Sequence, residues 1–222
     1  SEGGLQTAKR VEIVPGVELN IEGEGYDSPL GHINSFPHVE PLPLESGPSA
    51  RVAKHLDQLR QHYTERSTEL GGPYLVQMNH PRGIQFKPKS AVVPTSHAMF
   101  TKLGIDHERR VGKGPNAWMT ATYGDSATRA IDFDALELMN RFSWPVYRSV
   151  RRDWYYLWRQ GYTLTGTGNS DSHAVHIELA GLPTNLVDVS AYPDATPVDA
   201  FLQGIADGRV LVSTGPVVSL EV

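Results

Sequence analysis

The chain reads as an α/β fold built on mainly parallel strands, and three observations predict it. Short apolar runs alternate with segments of helical periodicity along the 222 residues. The turns between them are marked by Gly and Pro, and most are short. No internal repeat or low-complexity tract interrupts the alternation. Strand-helix-strand order of this kind pairs strands in parallel, with helices covering the sheet. A chain of this length with 39% hydrophobic content is expected to bury one sizeable core as a single domain over residues 1–222.

The elements follow in order. Residues 10–17 read as a strand entering a turn at Pro15-Gly16, and residues 31–36 as the next strand, ended by Pro37. Residues 40–48 are a Pro-rich loop. Ser49 caps a helix whose apolar stripe is Val52, Leu56, Leu59 and Tyr63, stopped by Gly71-Gly72-Pro73. A strand over 74–78 delivers Asn79-His80-Pro81. Residues 82–132 look irregular except for a short helix over 97–103, and a loop of that length suggests an active-site cover. A strand over 133–139, a helix from Trp144-Pro145 to Gln160 and a strand over 162–168 come next. Thr196-Pro197-Val198-Asp199 combines an N-cap, a Pro at the first helical position and a carboxylate at the third helical position. Phe201, Leu202 and Ile205 are its buried stripe, Gly208 ends it, and residues 209–214 are a final strand.

Composition narrows the chemistry. There is no cysteine, which excludes disulfides, thiolate nucleophiles and Cys-based zinc sites, so any metal is held by His, Asp or Glu. The formal charge of −5 argues against nucleic acid as the main partner but leaves room for a local basic pocket. No apolar run approaches 18 residues, so no membrane span is expected. No signal peptide is legible at Ser1, although Ser1 need not be the natural start. The expectation is a soluble protein, cytoplasmic or periplasmic.

Candidate ligands share one place in this pattern. Glu18 follows the strand ending at Val17, His80 follows the strand ending at Met78, and Asp171-Ser172-His173 follows the strand ending near Gly168. Carboxyl ends of parallel strands converge on one crevice, so these side chains are expected at one site. His32 reaches the same end if its connection returns like a hairpin. Carboxylate oxygen with imidazole nitrogen suits Zn, Mn or Fe. Taken singly, each position has a plain structural alternative: a solvated turn carboxylate, or a strand-end His bonded to backbone. Arg82 could bind an anionic group or cover the rim. Asn140 could line the site, and His176 is a candidate for substrate contact, as is His38. His55 and His62 read as solvated helix histidines; His97 and His107 are recruited by no spacing. Trp154, Tyr155, Tyr156 and Trp158 read as helix packing.

The stretches Pro15-Gly16-Val17-Glu18, Gly31-His32-Ile33-Asn34-Ser35-Phe36-Pro37, Asn79-His80-Pro81-Arg82, Leu136-Glu137-Leu138-Met139-Asn140 and Gly168-Asn169-Ser170-Asp171-Ser172-His173 together resemble the PHP (polymerase and histidinol phosphatase) superfamily of metal-dependent hydrolases, closest to its carbaryl-hydrolase-like (CehA/McbA-like) branch. The end segment Gly208-Arg209-Val210-Leu211-Val212-Ser213-Thr214-Gly215-Pro216 resembles it too. The resemblance implies a distorted seven-stranded β/α barrel with two or three divalent ions at the strand ends. It implies that Glu18 bridges two ions, that His32 and His80 complete one site, that Asp171 joins the other, and that His173 serves a further ion or the second site. One departure is large: the His-x-His strand that opens such a domain, and the Asp-His-type motif that follows it, are absent. The expectation is therefore a barrel lacking its first strands, with a missing segment or a partner chain completing it.

Function follows as an expectation: a metal-dependent hydrolase in which a metal-activated water attacks a small-molecule phosphoester or a carboxylic or carbamate ester. Asp171 is the residue expected to hold that water or accept its proton. Arg82, Asn140 and His176 are expected at the substrate. The alternative is a non-catalytic metal-binding or scaffolding domain.

Overall fold

The computed structural model describes residues 13–21, 30–37, 52–70, 72–83, 97–173 and 181–215. Five strands make one mixed sheet in the order β1 (Val17–Ile21), β2 (Gly31–Phe36), β3 (Leu75–Asn79), β4 (Ala135–Asn140), β5 (Thr165–Asn169). β3, β4 and β5 are parallel, as the strand-helix alternation predicts. β1 and β2 are antiparallel to their neighbours, so the N-terminal part of the sheet is a meander and not a parallel run. The first strand begins where the sequence reading ends it: Ile13 is 85% exposed, and pairing starts at Val17, opposite Ser35. The earlier part of that expected strand, residues 10–12, lies outside the described residues.

Among the described residues no barrel closes. The remaining strands, β6 (Thr184–Val187) and β7 (Val210–Ser213), form an antiparallel pair of their own. This pair covers the β5 edge through one side chain. Gly168 N donates to Asn185 Oδ1 at 2.9 Å, and Asn185 Nδ2 donates to Gly168 O at 2.8 Å, which satisfies edge groups a further strand would otherwise take. The approach needs glycine: a Cβ at Gly168 would lie 2.6 Å from Val212 Cγ1.

The sheet has two unlike faces because each strand alternates. Ile33, Val76, Met78, Leu136 and Leu138 point to the main core, under α1 (Val52–Leu70), α2 (Met99–Leu103), a 3-10 helix (Gly114–Thr120) and α3 (Trp144–Arg159). The α1 stripe of Val52, Leu56, Leu59 and Tyr63 is buried as its spacing requires. Its His55 is buried as well, contrary to the solvated reading. Arg60 ties α1 to the sheet, donating from Nη2 to Asp132 O at 2.8 Å and to Asp134 Oδ1 at 3.0 Å. Within the long stretch expected as a cover, Phe100, Met119 and Ile131 are fully buried in the core, and residues 84–96 lie outside the described residues. Buried Asn116 braces this stretch, accepting from Asp106 N and donating to Asp106 O and Tyr156 Oη.

On the opposite face, Leu75 and Ala135 pack at one end against Leu202 and Ile205 of α4 (Pro197–Ala206). Thr196 caps α4 by accepting from Asp199 N at 3.2 Å, as the cap sequence predicts. α4 thus plugs the end of the face at which the parallel strands begin. The other end of the same face is polar and open.

Candidate metal centre

Register sets which side chains meet at the open end. His32 pairs with Asn79 across β2 and β3, and Glu18 pairs with Asn34 across β1 and β2. Residues 18, 32, 77 and 79 therefore share one face. Glu18 is the second residue of β1, not a strand-end residue, and its side chain spans the difference in level. His80 is the first residue past β3.

Three donor atoms converge. His32 Nδ1 lies 3.1 Å from His80 Nε2; Glu18 Oε1 lies 3.3 Å from His32 Nδ1 and 3.9 Å from His80 Nε2. An ion about 2.1 Å from each of three tetrahedral ligands holds them about 3.4 Å apart. Glu18, His32 and His80 have the donor chemistry and the spacing to hold such an ion. Their charge states fit as well. The hydrogen bond with His32, helped by one from Asn79, holds the Glu18 carboxyl down at about 2. Burial, then the neighbouring His32, pushes His80 down to about 4. Near neutrality the pair offers a carboxylate and a neutral imidazole, the forms that bind metal. His97 stacks on His32 with ring centroids 4.1 Å apart.

Beneath the donors runs a directional chain of hydrogen bonds. Thr167 Oγ1 donates to Gln77 Oε1 at 2.8 Å, Gln77 Nε2 donates to Asn79 Oδ1 at 2.9 Å, and Asn79 Nδ2 donates to Glu18 Oε1 at 2.8 Å. A ligand carboxylate is oriented in this way by outer partners. The signal for these residues was polar side chains at alternate positions of strands that should be buried on both faces.

Asp171 and His173 form a second pair on the same cleft, which measures about 660 Å³. Asp171 Oδ1 lies 2.8 Å from His173 Nε2, and Asp171 Oδ2 accepts from Asn140 Nδ2 at 3.2 Å. Arg141 Nη2 donates to Asp171 O at 2.7 Å. Glu137, fully enclosed, joins the two groups: it accepts from Asn169 Nδ2 at 3.0 Å, from Asn140 Nδ2 at 3.2 Å and from the His80 backbone N–H. Burial pushes its carboxyl up to about 8 against the pull of those donors.

The backbone is strained at the same end. His80, Arg141 and Asp171 have φ of 23°, 53° and 45°, and each falls within two residues of the end of β3, β4 or β5. Positive φ at non-glycine residues costs energy and concentrates at functional sites.

The structure thus brings Glu18, His32 and His80 into one donor group and places Asp171, His173 and Asn140 on the cleft beside it. It does not bring Arg82 there. The φ at His80 turns the chain, and Arg82 binds Asp153 instead, donating from Nε at 2.6 Å and from Nη2 at 2.7 Å. His176 and His38 lie outside the described residues. Comparison of the chain with protein-family models, curated proteins and solved structures yields no match.

Proposed function

We propose that the protein is a metal-dependent hydrolase of phosphoesters or of carboxylic or carbamate esters, on a sheet that forms the larger part of a PHP-like seven-stranded barrel. The observation that carries this is the set of three donor atoms, from β1, β2 and the end of β3, gathered within 4.8 Å of one another beside the cleft. A divalent ion held there supplies Lewis acidity and lowers the pKa of a water.

The chain's own residues do the rest. Glu18, His32 and His80 hold the ion. Asp171 takes the proton, its carboxylate fixed by Asn140 and His173 and its backbone by Arg141. Asn140 lines the same wall and donates from Nδ2 to Asp171 Oδ2 at 3.2 Å, which orients that carboxylate toward the substrate.

A metal-binding domain without catalysis is the second reading. It is favoured by one observation: Asp171 and His173 stand outside the three-donor group. Metal content and turnover separate the two. Protein loaded with Zn or Mn is expected to hydrolyse at least one member of a panel of phosphate, carboxylate and carbamate esters, and Asp171→Asn is expected to keep its ion while losing roughly 10²–10⁴-fold in kcat. Bound metal with no turnover across the panel would sink the hydrolase and leave the binding domain.

A further inference from the structure

The net charge of −5 is unevenly spread. Helix α3 carries Arg148, Arg151, Arg152 and Arg159 on its exposed side and a single carboxylate, Asp153, which is fully buried. Asp153 is already engaged: it holds Arg82 through two hydrogen bonds, and His107 Nε2 lies 2.9 Å from its Oδ1. Among the described residues Arg148, Arg152 and Arg159 form no ion pair. All four exposed arginines line a cavity of about 530 Å³, in which Glu108 is the one acidic side chain. Through His107 and Arg152 it continues into a second cavity of about 390 Å³ that reaches Arg82.

Positions 148, 152, 155 and 159 fall at i, i+4, i+7 and i+11, so they form one stripe along the helix. Eleven residues of helix extend about 16 Å. Tyr155 sits within the stripe, 49% exposed, and Trp158 beside it, 48% exposed. The aromatic run of this helix packs as the sequence reading has it: Tyr156 is buried, Trp154 donates to Leu164 O at 2.7 Å, and Tyr155 and Trp158 flank Trp154 with ring centroids 5.4 and 4.4 Å away. About half of Tyr155 and of Trp158 still faces solvent.

We infer that this face of α3 binds single-stranded nucleic acid, independently of the metal cleft. Guanidinium forks match phosphate oxygens in pairs, and several in a line match a chain of them. A lone phosphate would need only part of the stripe. An acidic peptide would satisfy the arginines but has no flat group to cover the exposed halves of Tyr155 and Trp158, whereas bases stack on them. The concave path along the helix suits a flexible single strand.

The test is fluorescence anisotropy of a labelled oligo-dT with the full chain at several salt concentrations. Binding is expected to weaken steeply with salt. The variant Arg148→Ala/Arg152→Ala/Arg159→Ala is expected to flatten the slope of log K against log salt by about 2, at about 0.7 per phosphate contact on a single strand. Tyr155→Ala/Trp158→Ala is expected to weaken binding roughly tenfold or more with the slope unchanged. Arg→Lys at the same three positions should restore the slope, and unchanged melting of every variant by circular dichroism shows that the fold persists. Absence of binding at about 50 mM salt, or a slope untouched by the triple alanine variant, would overturn the proposal. So would displacement of the strand by polyglutamate as effectively as by unlabelled oligo-dT, which would make the face a dock for acidic protein segments.

Discussion

Asn79 Nδ2 donates to Glu18 Oε1 at 2.8 Å, and this bond ends a chain of donors that begins at Thr167 on the far parallel strand. The Glu18 carboxylate on β1 is therefore aimed by side chains of two other strands, β3 and β5. Such outer partners set ligand orientation and basicity.

Metal affinity should report that arrangement. Asn79→Ala is expected to weaken Zn or Mn binding about 10–100-fold while leaving all three donors in place. His32→Ala, His80→Ala and Glu18→Gln are expected to weaken it further. Competition calorimetry against a chelator measures this; affinity unchanged in Asn79→Ala would mean that the chain does not orient the ligand.

Two buried groups make the metal-free protein sensitive to pH in opposite senses. His80 is held down at about 4, below its unfolded value of 6.5, so the unfolded state binds the extra proton and stability rises with pH between those values. Glu137 is pushed up to about 8 from 4.5, so the folded state binds the extra proton and stability falls with pH across that interval. Between 4.5 and 6.5 the two oppose each other. Above that only Glu137 still changes, and a loss on the order of 2 kcal/mol is expected between pH 6.5 and 8. Urea melts of chelator-treated protein test it; stability rising over that last interval would contradict the protonated Glu137.

Asp153 is fully buried and faces Arg82, whose side chain is 20% exposed. Asp153→Ala strands that guanidinium and releases His107, and a loss of about 3–5 kcal/mol is expected. Arg82→Met with Asp153→Leu removes both charges together and should cost clearly less. Equal losses in denaturant melts for the single and double variants would show that the pair is not the source.

Gly204→Ala in α4 sets two effects against each other. Alanine improves helix propensity by about 1 kcal/mol. Its Cβ, however, would lie 2.4 Å from Val187 Cγ1 and 3.3 Å from Asp188 O, where α4 meets β6. Overpacking of this kind costs about 1–3 kcal/mol. A net loss is expected, read as a lower Tm; a higher Tm would show that the contact relaxes freely.

The elements legible in the sequence were those specified locally. Residues 31–36 form β2 with the bounds read for them, and Thr196, Pro197 and Gly208 bracket α4 as their cap chemistry requires. The first strand was misplaced because V-E-I-V and V-E-L-N-I alternate equally well; pairing with β2 chooses the second. β6 has four residues and no strong β-former run, so it exists only through its ladder to β7. At the site, His80 and Asp171 were legible because they follow strands whose ends are clear. Arg82 was misassigned because separation by two implies a shared direction only in an extended chain, and the backbone turns at His80.

The kinds of donor, the absence of thiolates and the alternation of strand and helix follow from residue type and from periods of 2 and 3.6 residues. Which donors meet follows from the way distant strands pair. Glu18, His32 and His80 are separated by up to 62 residues in the chain, and strand register brings them within 4.8 Å. A slip of one residue in that register would turn each of these strands' side chains to the opposite face, and no local pattern encodes the choice.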